Sequence, residues 1–322
     1  MMKSKLYIGP AGWSYPDWEG IVYPRPKPRV FDPLVYIASY FNLIEINSTF
    51  YRVPSADTCR SWVRRVADRE GFAFSVKANS EFTHGRTNTG ARHMHVFKSA
   101  IDPLFDAGVL STVLLQFPWS FRFSREARDY VCSLTERLSP FPSAVEVRHA
   151  SWSADGSRQF FRERNVTLCG VDQPLVGASL EPSVFQPGAA GYYFRLHGRN
   201  RDRWFDRKAG RDARYDYLYS GDELSVIHRR IDRLASGQER VHVVLNNHFR
   251  GQAVANALQL KAMLSGTPVE APPQLLARFP HLAGLARPVS HGPAAARPSA
   301  SQGNLFQQDN EQQENRAADE NR

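Results

Sequence analysis

Residues 145–148 read Val-Glu-Val-Arg, apolar and charged side chains in strict alternation. A period of two marks a β-strand whose two faces meet different surroundings. The pattern returns along the chain. Ile44 and Ile46 alternate with Glu45 and Asn47, and Phe74 and Val76 with Ser75 and Lys77. Leu115 and Phe117 flank Gln116; Phe194 and Leu196 alternate with Arg195 and His197, and Val243 and Leu245 with Val244 and Asn246. Val171 followed by Asp172 is assigned the same way. Strands are expected near Leu6–Gly9, Leu43–Asn47, Ala73–Ala78, Val113–Phe117, Ala144–Arg148, Thr167–Val171, Tyr192–His197 and His242–Asn246.

Segments of helical period separate these runs, near residues 32–41, 56–69, 92–107, 125–138, 156–164, 222–236 and 252–264. Ser124 stands ahead of a stripe of Tyr130, Val131, Leu134 and Leu138, the pattern of a capped amphipathic helix. Asp222 and Glu223 fall in the first turn of another, where the helix dipole favours carboxylates. Residues 173–191 are rich in Pro, Gly and Ser, so no regular helix is expected there. Strands alternating with helices predict an α/β fold with a parallel sheet, and eight of them a TIM-like (β/α) barrel of one domain over residues 1–287. A hydrophobic fraction of 42% is enough to build its core. Residues 288–322 hold only Leu305 and Phe306 as large apolar groups, too little burial to offset ordering entropy, so a disordered tail is expected.

Cys59, Cys132 and Cys169 are scattered, with no C-x-x-C pair. A disulfide framework or thiolate zinc site is not expected. No run approaches the roughly 18 apolar residues of a membrane span, and no short apolar run follows the first cations. A cytoplasmic protein without a membrane partner is expected.

If the apolar parity faces the helices, the charged parity faces the interior, toward the strand ends where barrel enzymes hold their chemistry. The catalytic candidates are therefore Glu45, Asn47, Lys77, Glu146, Arg148, Asp172, Arg195, His197 and Asn246. Two carboxylates in one interior repel, so one is expected to keep its proton as a general acid while the other stays ionised. His197 is expected to exchange protons near neutrality. A self-satisfied ion-pair layer is the competing structural reading. Glu45, Glu146, Asp172, His84, His197 and His248 also offer ligands for magnesium, manganese or zinc. No metal-spaced motif joins them and the neighbouring cations oppose binding, so a divalent metal is not the favoured cofactor.

The chain carries nine net positive charges, and residues 291–322 hold three arginines against five carboxylates, so the rest is more basic still. That balance suits nucleic acid or a phosphorylated ligand. Two loops add to it. Asn246-Asn247-His248-Phe249-Arg250-Gly251 leads into a predicted helix, whose N-terminus could hold phosphate. Residues 198–221 interleave Arg199, Arg201, Arg203, Arg207, Lys208, Arg211 and Arg214 with Trp204, Phe205, Tyr215, Tyr217 and Tyr219. Guanidinium and aromatic faces together suit phosphates and stacked bases, unless the aromatics pack inward and the arginines pair with neighbouring aspartates. The substrate-binding candidates are Trp13, Tyr15, Tyr51, His84, Gln116, Arg199, Arg203, Trp204, Asn247 and Arg250.

Seven stretches also resemble the YecE-like family, known as domain of unknown function 72. They are GWSYPDW (12–18), EINSTFYRVP (45–54), VKANSEFTH (76–84), LLQFPWSF (114–121), AVEVRHASW (144–152), FRLHG (194–198) and VLNNHFRGQAVANA (244–257). The resemblance implies a barrel and supplies no activity. Pro10-Ala11 stands where that family usually has a small hydroxyl pair, Val147 where an aromatic is common, and His248 where an acid often follows Asn246-Asn247.

In the tail, Gln302-Gly303-Asn304-Leu305-Phe306 resembles the short peptide by which bacterial polymerases and repair proteins dock on the DNA sliding clamp. A polar segment presenting Leu305 and Phe306 to a pocket, with the Gln302 amide at its rim, is physically reasonable. The leading expectation is a barrel enzyme, of hydrolase or lyase type, acting on a phosphate-bearing and even nucleic-acid substrate, tied to DNA metabolism by the tail. The alternatives are a sugar or sugar-phosphate enzyme using the interior carboxylates as acid and base, and a non-catalytic nucleic-acid or clamp-associated adaptor.

Overall fold

A computed structural model describes residues 6–86, 90–204, 206, 210–235, 237 and 240–289. Its main strands are β1 (Leu6–Pro10), β2 (Leu43–Ile46), β3 (Ala73–Lys77), β4 (Leu110–Gln116), β5 (Ser143–Glu146), β6 (Thr167–Leu168), β7 (Gly170–Asp172), β8 (Tyr192–Leu196) and β9 (Val241–Leu245). A small pair, β10 (Val269–Ala271) and β11 (Ala286–Pro288), follows. The helices are α1 (Pro33–Ala38), α2 (Ser48–Tyr51), α3 (Ala56–Arg65), α4 (Ala91–Asp106), α5 (Arg125–Leu138), α6 (Asp155–Glu163), α7 (Gly210–Ala213), α8 (Gly221–Ala235), α9 (Gln252–Ser265) and α10 (Pro273–Arg278). The expected strands and helices all form. Residues 173–191 contain no helix.

The strands make two parallel sheets, ordered β2-β3-β4-β5-β6 and β1-β9-β8-β7. They meet at two seams. Only Cys169 separates β6 from β7: Leu168 pairs with Val145 of one sheet, and Gly170 with Phe194 of the other. At the opposite seam Ala11 bridges to Glu45, and the Gly12 amide donates to the Glu45 carbonyl at 2.8 Å. Gly9 makes this approach possible, because a Cβ there would sit 1.7 Å from the Leu43 carbonyl oxygen.

Local chemistry starts the helices as expected. The Ser124 hydroxyl accepts from the Ala127 amide at 3.1 Å and sets the start of α5. Ser220 and Glu223 form a reciprocal capping box on α8, Glu223 Oε2 accepting from the Ser220 amide and Ser220 Oγ from the Glu223 amide. The helices bury the outward parity of the strands, including Ile44, Ile46, Phe74, Val76, Leu115, Val145, Phe194, Leu196, Val243 and Leu245. A second, smaller apolar cluster fills the space between the sheets, with Leu43, Ala73, Leu114, Ala144, Cys169, Val171, Tyr193 and Val244.

One parity assignment is overturned. Val171 belongs to the inner cluster, so Asp172 points out toward α8 and is not an interior carboxylate. The reason lies at Gly170. A Cβ at that position would come within 2.5 Å of the Phe194 ring, so the outer surface there is filled by Phe194 and left bare by β7.

Among the described residues no helix is long and apolar enough to cross a membrane. Phe205, Arg207 and Lys208 of the basic loop, and the Gln302, Leu305 and Phe306 peptide, lie outside the described residues.

Candidate active site between the sheets

The interior charges form a layer around Arg195 of β8. Its Nη2 donates to Glu45 Oε1 at 2.6 Å, and its Nη1 to Glu146 Oε2 at 2.6 Å and Gln116 Oε1 at 2.8 Å. Glu45 is further held by the Tyr193 hydroxyl at 2.9 Å, which also reaches Ser75 Oγ at 2.8 Å. All six side chains are buried. They converge because Glu45, Ser75, Gln116, Glu146, Tyr193 and Arg195 share the inward parity of their strands. Tyr193 and Ser75 are missing from the sequence-derived site, although each lies two residues before a candidate, Arg195 and Lys77 respectively.

This geometry corrects two expectations. Arg195 lies between the carboxylates, so their repulsion is relieved. Burial alone would raise the Glu146 carboxyl, but Arg195, His197 and Arg148 outweigh it and hold it well below the usual carboxylate range. Glu146 is therefore no proton donor. His197 lies 3.2 Å from Glu146 Oε1 through Nε2, and its Nδ1 is 2.9 Å from the Asn246 amide nitrogen. With Asn246 donating, the proton belongs on Nε2. Burial pushes His197 down to about 3, so it is a neutral donor and does not titrate near neutrality.

Above the layer, the partners run out. Arg148 donates from Nε to Glu146 Oε1 at 2.9 Å. Its Nη2 is also 2.9 Å from that oxygen, so the guanidinium pairs with Glu146 through one edge. Asn47 Oδ1 is buried without a donor. Lys77 Nζ has no ion pair and no hydrogen bond among the described residues; it rests 3.7 Å from the centroid of the Phe50 ring. Burial and the charges of Arg195 and Arg148 lower the Lys77 ammonium to about 7, against the pull of Glu45 and Glu146. His84, from the π-helical turn Glu81–Gly85, meets Phe50 edge-on at 5.0 Å. Burial together with Lys77 and Arg148 pushes it down to about 3, so it too is neutral. Trp204 closes over this region, its ring 5.7 Å from the Arg148 guanidinium and 6.2 Å from the His197 ring. Lys77, Asn47 and His84 stay partly exposed, so the region opens to solvent.

The other candidates sit elsewhere. Arg199 grips Asp172 with two bonds of 2.9 and 2.7 Å and reaches Glu223 at 2.9 Å, on the outer side of β7. Asn247 is fully buried and donates to the Tyr217 carbonyl and to Asn256, a structural role. Arg203 is exposed and pairs with Asp206 at 3.2 Å. Tyr51 is exposed at 42% and meets Phe50 edge-on. Trp13 packs edge-on against Trp62 at 5.6 Å, and Tyr15 stacks on His248 at 4.5 Å while its hydroxyl donates to the Ala11 carbonyl. At the start of α9, Asp17 Oδ2 accepts from the Arg250 amide at 2.6 Å. A carboxylate of the protein thus occupies the position where a phosphate was expected. Among the described residues no three His, Cys, Asp or Glu side chains are grouped to hold a metal.

Residues 7–277 match the family described as "Protein of unknown function DUF72". The chain belongs to the DUF72 family. The match takes in every interior residue from Glu45 to Asn246. The UPF0759 protein YunF of Bacillus subtilis is 28% identical over 272 residues, covering 80% of this chain and 94% of that protein. The UPF0759 protein YecE of Escherichia coli K12 is 26% identical over 175 residues, 53% of this chain and 58% of that one. Among solved DUF72 structures, one from Thermotoga maritima is 34% identical with a TM-score of 0.68, covering 81% of this chain and 99% of that chain. One from Enterococcus faecalis, 24% identical with a TM-score of 0.68, covers 81% and 95% and speaks to the fold alone.

Proposed function

We propose that the two sheets close into one eight-stranded (β/α) barrel and that its mouth is the active site of an enzyme for a small phosphate-bearing substrate. Counting β6, Cys169 and β7 as one strand gives eight, and the hydrogen bonds at both seams support closure. The carboxyl ends of barrel strands are where such enzymes carry their chemistry.

One observation carries the reading: Lys77 Nζ is a cationic group with no hydrogen-bond acceptor among the described residues, beside the Arg195–Glu45–Glu146 layer and the Glu146-paired Arg148. Glu45 and Glu146 are balanced by Arg195 and Arg148, which leaves the Lys77 charge in excess. Unmatched positive charge beside buried guanidinium groups is costly unless an anion arrives to pair with it. Lys77, close to half-protonated at neutral pH, is suited to move a proton once the anion is bound. In the sugar or sugar-phosphate alternative Glu146 is not the acid, since it is held ionised.

A small substrate is favoured over nucleic acid by the basic loop itself. Trp204 and Tyr219 are buried, and Arg199 and Arg203 are paired with carboxylates, so these groups do not form an open stacking surface. The test is calorimetric titration of the full chain with inorganic phosphate and with a short single-stranded oligonucleotide. Phosphate binding that weakens about tenfold or more in Arg148→Gln supports the reading. Equal phosphate affinity in the variant, or binding of the oligonucleotide alone, overturns it.

A further inference from the structure

We propose that Lys77 Nζ is a nucleophile that forms an imine with an aldehyde or ketone carbonyl of the phosphate-bearing substrate. The inference rests on the reading that the mouth takes such a ligand, and it goes further by assigning the covalent step and the carbonyl class.

A lysine meant only to clamp phosphate keeps a solvated, fully charged ammonium. Lys77 instead lies over the Phe50 face, which offers no hydrogen-bond acceptor, near two guanidinium groups. Such surroundings favour the neutral amine, the form with a lone pair to attack carbonyl carbon. Its position is fixed from both sides. The Thr49 hydroxyl donates to the Lys77 carbonyl, and the Asn79 amide donates to the carbonyls of Thr49 and Phe50, each at 3.1 Å. The main chains of Phe50 and Lys77 are thus tied to one network, which sets the ring beneath the amine before any ligand binds. Arg148, nearby and paired with Glu146 through one edge of its guanidinium, is the group to receive the phosphate.

The step balances without an oxidant or reductant. The amine lone pair forms the C–N bond, and the carbonyl π pair moves to oxygen, which takes up a proton. Loss of water from the carbinolamine gives the protonated imine. One lysine ammonium and one carbonyl yield one iminium and one water.

The test uses dihydroxyacetone phosphate as probe on the full chain, with sodium borohydride to reduce any iminium, followed by intact-mass measurement and peptide mapping. The expected result is a borohydride-dependent adduct on the Lys77 peptide, at least about tenfold stronger than with dihydroxyacetone and reduced in Arg148→Gln. Lys77→Arg loses it while retaining the melting behaviour of the parent. Adducts spread evenly over Lys27, Lys98 and Lys77 overturn the proposal. Inorganic phosphate bound with no adduct between about pH 6 and pH 9 also overturns it, and leaves the phosphate-site reading standing. Absence of both phosphate binding and adduct removes both.

Discussion

Arg195 and Arg199 stand four residues apart, and each bridges two carboxylates, yet they sit in opposite electrostatic settings. Arg195 joins Glu45 to Glu146 with its side chain 1% exposed, whereas Arg199 joins Asp172 to Glu223 with its side chain 35% exposed. The first bridge is sealed between the sheets and the second lies on their outer side. Water screens the outer one; only protein groups can answer the charges of the inner one. The same chemical motif is therefore a requirement for folding in one place and a modest tether in the other.

The largest effect follows from removing the sealed arginine. Arg195→Ala leaves Glu45 and Glu146 facing each other without their shared cation, a loss of about 3–5 kcal/mol that urea unfolding would measure. If Arg195→Ala unfolds at the same urea concentration as the parent, the layer is wet and the contrast with Arg199 disappears.

Next in size is the acid limb of stability. Glu146 is held below its ordinary 4.5, so its contribution is full above 4.5 and is lost as pH falls through the folded value. His197 is lowered from 6.5 to about 3, so its contribution is full above 6.5 and is lost between 6.5 and about 3. Both losses point the same way, and the protein should weaken steadily on acidification across that window. His197→Asn should flatten this limb by about 2 kcal/mol relative to the variant's own stability at pH 8, which is lower than the parent's because the bonds to Glu146 and Asn246 are lost. An unaltered slope would mean that His197 is already charged in the native state.

Lys77 gives the same sign in a higher window. Its folded value of about 7 lies below its ordinary 10.5, so the native state loses stability as pH falls from 10.5 toward 7. Lys77→Met removes that loss. After allowance for solvent at this partly open side chain, the variant should be stabilised by about 1 kcal/mol at pH 7. It should also lose phosphate binding. Gain of stability with loss of binding is the signature of a residue kept for function; a destabilised variant would make Lys77 structural.

The alternation of residues 44–47, 74–77, 145–148 and 194–197 made most of this legible in sequence. Parity is a property of single residues in a strand, so it placed Glu45, Glu146 and Arg195 inside without knowledge of the partners. It could not reveal that Arg195 would lie between the two acids, because distances across the interior depend on the stagger of strands far apart in the chain. It failed at Asp172, where the inward positions are themselves apolar, Cys169 and Val171. The available signal was Gly170, a residue with no side chain to pack on the helices. The basic loop misled for another reason. Composition counts Trp204 and Tyr219 as potential stacking faces, whereas exposures of only 5% and 1% show them spent on packing.

The smallest effect closes the comparison. Arg199→Ala should cost under about 1 kcal/mol and less still at high salt, since the pairs it breaks are open to screening. Asp172 is not abandoned by the change. The Tyr219 hydroxyl still donates to its Oδ1 at 2.8 Å, and solvent can enter where the guanidinium stood. Glu223 likewise keeps the Tyr217 hydroxyl and the Ser220 amide. A carboxylate with remaining donors and access to water behaves differently from one sealed against its twin. If Arg199→Ala proved as damaging as Arg195→Ala, and equally so in high salt, the outer cluster would have to be dry, and exposure would no longer explain why one bridge matters more than the other.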